Sequence, residues 1–405
     1  MCYVLLQHSS FILDDVCVIA MHLLFVFFAI IIQAYANNQH KIAMEMLTNP
    51  FLKAMSICEG TVSILDAKCV VYSRIWCIFE LFKSVMSGNS DYEFDVYTEI
   101  DGNIGRAIGI THGYIPSDSR RGDTHKSIDK KDRESKFPLD RILQAMNVNV
   151  KYAEASVESD RRFILNTITG RSKDEKVVDY HANYDELNNI LRGIFVTPVL
   201  ERILKEEDLN SITRCLDILK VSNARIIDLS FKDCPRFNDD ILIKVIDSLP
   251  HTLTEFRISN LEESSVTING INAYVGKILE CPQLVKLFLS SNNIDDDGAK
   301  RIADALKVNY SLKELYLRFN NIDDDGAKQI AGALKVNHSL KVLNMSFNNI
   351  GDDGAKQIAD ALKVNHSLKS LTLRNNKIGD DGEKYLTKIK QELIDANRDI
   401  EILWY

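Results

Sequence analysis

The chain has 405 residues, of which 45% are apolar and 26% charged, ordinary proportions for a folded globular protein with room for two or three domains. A formal net charge of -8 argues against a general nucleic-acid binder, because a polyanion calls for a basic footprint. The eight cysteines include no Cys-x-x-Cys pair, so neither a zinc site nor a disulfide framework is expected. Free, core-filling thiols in a cytoplasmic protein are expected instead, with no metal and no cofactor.

In chain order, the first feature is the nearly continuous apolar run Val16–Ala36, long enough to span a bilayer. His22 and Gln33 interrupt it, residues 1–40 hold no Lys or Arg, and Asp14 and Asp15 stand where a signal peptide carries positive charge. The run FVFFAIII within it suits a strand buried on both faces of an α/β sheet. A membrane anchor through Val16–Ala36 is the alternative, and the only membrane association the sequence offers.

Alternating signals follow. TVSILD (61–66), FDVYTEI and GRAIGITHG read as strands; RIWCIFELFKSV (74–85), PLDRILQAM, SVESDRRFILNTI and YDELNNILRGIF read as helices. The third of these helices is expected to start on a serine cap followed by early acids. Ser117–Lys136, dense in charge, Ser and Gly, reads as an exposed loop. This alternation predicts an α/β sandwich over residues 1–196. Residues 197–223 read as a helical cap or linker, and a repeat array is expected over 224–405.

Four blocks of that array start at Leu284, Leu312, Leu340 and Leu368, and the second and third agree at 22 of 28 positions. Each reads L-x-x-L-x-L/M-x-x-N-x-I, then [DG]-D-D-G, then a helical stretch such as AKQIADALKVN. This is the leucine-rich-repeat pattern, a short strand and an asparagine turn followed by a helix. Leu312, Leu315, Leu317 and Ile322 should point inward, joined by Ile330, Ala333 and Leu334 from the helix at i, i+3, i+4 spacing. One repeat cannot bury that surface alone, so neighbours must stack.

The recurring Asn292, Asn320, Asn348 and Asn376 are expected to satisfy backbone groups at the bend. The acidic runs Asp295–Asp297 and Asp323–Asp325 lack the alternating spacing of a calcium loop and are expected to cap helices. Asn309, Asn337, Asn344 and Asn365 each begin an Asn-x-Ser sequon, which repeat copying explains. Two looser repeats, ARIIDLSF and LTEFRISN with their helices, precede the four blocks, and IEILWY is expected as a closing strand.

Differences between near-identical blocks mark the variable surface. The exposed strand positions read Lys286, Glu314, Val342, Ser370; then Phe288, Tyr316, Asn344, Thr372; then Ser290, Arg318, Ser346, Arg374. In a curved solenoid they line the concave face, where Phe288, Glu314, Tyr316, Arg318, Asn344 and Arg374 are the expected contacts for a protein partner.

The 28-residue period with a helix in every repeat resembles the ribonuclease-inhibitor class of leucine-rich repeats, which includes immune-receptor sensor arms and the Ran GTPase-activating protein. The resemblance implies an α/β solenoid that binds a macromolecule as scaffold or sensor, with small-GTPase regulation as an alternative by fold analogy. No G-x-x-x-x-G-K-[ST] occurs, so the nucleotide switch of complete receptors of that kind is lacking.

In the first half, AYANNQHKI, GTVSILDAKCVVYSRIWCIFEL and AEASVESDRRFILNTI look like an α/β module found beside such repeats in unicellular-eukaryote proteins. The S-R-x-W-C-x-x-E-L stretch also resembles Toll-type (TIR) domains, some of which cleave NAD with the glutamate of this helix. That resemblance makes Glu80 the candidate catalytic residue, with Trp76 and Cys77 beside it. The alternative is that all three are structural. A nucleophilic Cys77 lacks any His/Asn partner pattern. The leading expectation is a non-enzymatic interaction protein, an α/β module coupled to a repeat arm.

Overall fold

The computed structural model describes residues 2–5, 31–32, 60–65, 68–85, 93–99, 107–111, 134, 136–206 and 209–405. Most of Val16–Ala36 and of Ser117–Lys136 lies outside these. Two compact units divide the chain, Met1–Val199 and Leu200–Tyr405.

The first unit is built on a five-stranded sheet. Its strands are β1 (Cys2–Leu5), β2 (Ile31–Ile32), β3 (Gly60–Leu65), β4 (Glu93–Glu99) and β5 (Ala107–Thr111), in the order β2-β1-β3-β4-β5. The first four are parallel and β5 runs antiparallel to β4. That order reverses direction between β1 and β3, as doubly wound sheets do. Of the apolar run near the start, Ile31–Ile32 form β2 beside β1.

Helix α1 (Ile75–Val85) buries Ile75, Ile78, Phe79 and Leu81, one stripe at helical spacing. The indole of Trp76 on α1 donates to the Asp160 carboxylate on α3 at 3.3 Å. Between those helices come α2 (Leu139–Ala145) and a short 3₁₀ turn at Val150–Tyr152. α3 spans Glu158–Thr169, and the expected serine cap is not used: Val157 holds the cap position and offers no side-chain acceptor. Glu158 and Asp160 still place negative charge at the helix's positive end. α4 (Ala182–Glu206) continues through Pro198, past the boundary expected at residue 196, and the division between the units falls inside it.

In the second unit α5 (Leu209–Lys220) buries Ile212, Cys215, Leu216 and Leu219 on one face. After it come β6 (Ile226–Ser230), β7 (Cys234–Asn238), α6 (Asp239–Asp247), β8 (Glu255–Ser259), β9 (Ser264–Ser265) and α7 (Ile268–Ile278). The regular repeats supply β10 (Lys286–Phe288), α8 (Asp296–Leu306), β11 (Glu314–Tyr316), α9 (Asp324–Leu334), β12 (Val342–Asn344), α10 (Asp352–Val364), β13 (Ser370–Thr372) and α11 (Asp380–Asp395). β14 (Glu401–Leu403) closes the series. Seven strands form one all-parallel sheet in the order β14-β13-β12-β11-β10-β8-β6, while β7 and β9 pair separately.

The leucines predicted inward are buried: Leu312, Leu315, Leu317 and Ile322, with Ile330, Ala333 and Leu334 from α9. Two asparagine ladders tie each repeat to the one before. In the first, the Asn320 amide donates to the Leu289 carbonyl at 2.9 Å while its oxygen accepts from the Ile294 N–H at 3.0 Å. Asn348 repeats this one repeat on, to Leu317 at 2.9 Å and from Ile322 at 3.1 Å. In the second, Asn309, Asn337 and Asn365 donate to Leu279, Leu306 and Leu334 at 2.8, 2.7 and 2.7 Å. These three sequon asparagines are buried structural rungs. The Arg398 guanidinium makes the last rung, donating to the Leu362 and Asn365 carbonyls.

The acidic runs cap helices in two ways. Asp295 accepts from Gly298 N–H at 3.0 Å and Asp323 from Asp325 N–H at 2.8 Å, each within its own helix start. The next aspartate serves the following repeat. One Asp324 oxygen accepts from the N–H groups of Gly351 (2.7 Å) and Gly354 (2.8 Å), and Asp352 accepts from Gly379 at 2.7 Å. Those helices have glycine at the cap and no acceptor of their own.

Candidate functional site

In β10 to β13 the side chains alternate, the central leucine buried and its two neighbours half-buried on the opposite face of the sheet. Cross-strand register lines those outer residues into rows. One row runs Glu255, Lys286, Glu314, Val342, Ser370, Glu401; the next runs Arg257, Phe288, Tyr316, Asn344, Thr372, Leu403. Such rows follow from a parallel sheet in which each strand is one repeat further along the chain.

Within the second row a continuous stack forms. The Phe288 and Tyr316 rings lie 4.3 Å apart and 3° from parallel. The Arg257 guanidinium sits 4.0 Å over the far side of Phe288. Glu255 holds Arg257 at 2.6 Å, Glu314 holds Lys286 at 3.2 Å, and the Tyr316 hydroxyl donates to Glu314 at 3.0 Å. Burial first, and the bond to Glu314 second, push the Tyr316 phenol up to about 12.

Arg318 and Arg374 lie two residues past the ends of their strands and are exposed. Arg318 lies 4.6 Å over both Phe319 and Phe347, whose rings stack at 4.2 Å, and Arg374 lies 5.3 Å over Tyr405. Phe319 and Phe347 adopt left-handed backbone, at φ 54 and 55. Asn344 turns back on its own strand end, its oxygen accepting from the N–H (3.0 Å) and hydroxyl (2.6 Å) of Ser346.

Of the residues singled out from sequence, Phe288, Glu314 and Tyr316 therefore form one connected cluster. Arg318 and Arg374 form a second row beside it, and Asn344 lies between them with its oxygen already occupied. Sequence reasoning missed Arg257, Phe319, Phe347 and Tyr405. Arg257 sits in an irregular repeat, and Phe319 and Phe347 lie one residue past the strand positions that were compared between blocks, at a place that reads Ser291, Phe319, Phe347, Asn375.

Glu80 lies on α1, only 3% exposed, so its carboxylate faces protein and not solvent. Burial first, then the neighbouring Glu80 charge, push the Cys77 thiol up to about 12, leaving it protonated at neutral pH. Among the described residues no group of three His, Cys, Asp or Glu could hold a metal ion, and no helix is long and apolar enough to cross a membrane.

Comparison with known proteins places the repeats. The family model described as "Leucine Rich repeat" matches residues 280–303, 308–331, 336–359 and 364–386. Leucine-rich repeats thus occupy 280–386. No curated protein sequence matches the chain. Among solved structures, the Leiomodin-1 Actin-Binding Site 2 is similar at 19% identity and a TM-score of 0.30, covering 47% of this chain and 92% of its own. The tropomodulin C-terminal domain of Caenorhabditis elegans is similar at 12% identity and a TM-score of 0.28, covering 47% and 96% respectively.

Proposed function

We propose that the protein is an interaction module, scaffold or sensor, that holds a protein partner on the concave, strand-lined face of its repeats. The carrying observation is the stack Arg257–Phe288–Tyr316, with aromatic area on the outer face of the sheet at positions that vary between otherwise near-identical repeats. Aromatic and arginine side chains supply most of the energy at protein interfaces, because each adds large area or several donors at low conformational cost. Rigid repeat stacking supports this reading, since the leucines and asparagines behind the face fix its shape and leave its chemistry open to change.

The test is a capture experiment with the full chain. A variant carrying Tyr316→Ala, Arg318→Glu and Arg374→Glu is expected to lose the partner that the unaltered chain retains, while its thermal unfolding stays within a few degrees. Equal retention by a folded variant would refute a role for this face.

A further inference from the structure

We propose that Arg318 and Arg374 form a two-pronged site for an acidic peptide segment, one presenting two carboxylate side chains roughly 10 Å apart. This rests on the reading of the strand-lined face as a binding surface and names the chemistry of what it takes.

Four cations occupy the outer rows between β8 and β13, and they divide sharply. Arg257 and Lys286 are neutralised by Glu255 and Glu314, at 2.6 and 3.2 Å. Arg318 and Arg374 are exposed and make no ion pair among the described residues. They hold equivalent places two strands apart, Phe319 N–H bonding Ser346 O and Phe347 N–H bonding Arg374 O across the intervening strand. With strands about 4.8 Å apart, that separates the two backbones by roughly 10 Å. Ser346, small and buried, lies on the strand between them.

Aromatic contacts also hold the two guanidiniums in place, and a guanidinium's planar fork of donors can receive a carboxylate in bidentate fashion. Arg318 rests on two rings and Arg374 on one.

The backbone supplies an independent observation. The third position after each strand end is left-handed in all four regular repeats, at Ser291, Phe319, Phe347 and Asn375. Asparagine tolerates that conformation, whereas a bulky aromatic there costs of the order of 1 kcal/mol. The two central repeats carry phenylalanine despite that cost, and Phe319 is left 44% exposed. Phe319 stacks on Phe347 of the next repeat, and Arg318 rests against both rings.

Charge elsewhere narrows the ligand. The net charge of -8 repels dense polyanions, and Asp323–Asp325 begin only five residues beyond Arg318. Two separated carboxylates on a short, partly apolar segment meet the arginines without meeting that rim.

The experiment uses the full chain at low ionic strength and dye-labelled decapeptides of Gly, Ser and Leu, with two glutamates spaced two to seven residues apart. Fluorescence anisotropy is expected to show saturable binding at one preferred spacing, with at least about tenfold loss for Arg318→Gln/Arg374→Gln and for the glutamine version of the peptide. Phe319→Asn/Phe347→Asn, using the residue already tolerated at position 375, is expected to weaken binding severalfold while leaving the unfolding midpoint nearly unchanged. Binding that ignores the arginines or the peptide's charge overturns the proposal, as does no saturable binding up to millimolar peptide. A heparin fragment that displaces the peptide and depends equally on the arginines also overturns it, in favour of a sulfated or phosphorylated ligand. Any of these results leaves the broader reading standing if the captured partner still requires Phe288 and Tyr316.

Discussion

At the level of single residues, the recurring glycine of the D-D-G motif shows how much a repeat depends on its neighbour. A Cβ built at Gly354 would lie 2.6 Å from the Asp324 carboxylate of the preceding repeat and 2.9 Å from both Ala327 and Ile350 side chains. Gly332, in the last turn of α9, has nothing within 4 Å of the same atom. Gly354→Ala is therefore expected to destabilise by about 1–3 kcal/mol, overpacking outweighing the gain in helix propensity. Gly332→Ala should stabilise by about 0.5–1 kcal/mol, since alanine gives up less chain entropy in a helix. Urea unfolding of both variants checks this pair, and a common sign would defeat it. The ladder asparagines were legible in the sequence because they recur and because a buried bend needs an amide. The glycine's reason was not, because the atom it must avoid belongs to the previous repeat.

Elements show the same dependence between repeats. The sequence locates α8 to α11 through their apolar spacing and acidic starts, and the structure places them there. It leads to a simpler account of capping than the one found, since an aspartate at a helix start is naturally assigned to its own helix. Asp324 serves the next one, accepting from Gly351 and Gly354 N–H groups where α10 has only glycine at its cap. Asp324→Ala is expected to cost about 1–2 kcal/mol, the worth of a cap, and to raise amide exchange at the start of α10 and not of α9. Asp325→Ala removes one charge from the same helix start but no acceptor, so a loss near 0.5 kcal/mol from the helix dipole alone is expected. Equal losses would mean that charge, and not the inter-repeat bonds, is what these aspartates provide. The serine cap expected for α3 failed for a related reason: Ser156 lies one residue before the position that Val157 occupies, and helix starts are set by packing to within a residue or two.

For the molecule as a whole, what the sequence disclosed follows its regularity. The solenoid was readable because each repeat restates the same pattern; the variable outer rows were readable because departures from that pattern stand out. The first half repeats nothing, so its strands and helices could be placed while its chemistry rested on likeness alone. Solenoid ends follow a further rule: the first and last repeats have one stacked neighbour instead of two, and something irregular must cover them. Arg398 completes the second ladder at one end. At the other, Leu204, Ile212, Cys215, Leu216 and Leu219 are buried, and Glu201 accepts from the Ser230 N–H of β6 at 3.1 Å. The cover behind β6 thus includes the final turns of α4 as well as α5, both within the second compact unit, which begins at Leu200. A fragment spanning 200–405 is expected to be monomeric and to unfold in one cooperative transition. A fragment spanning 224–405 is expected to unfold at least about 10 °C lower or to aggregate, because the apolar surface behind β6 loses its cover. Calorimetry and light scattering decide between them, and equal stability would show that α5 is an appendage and not a cap.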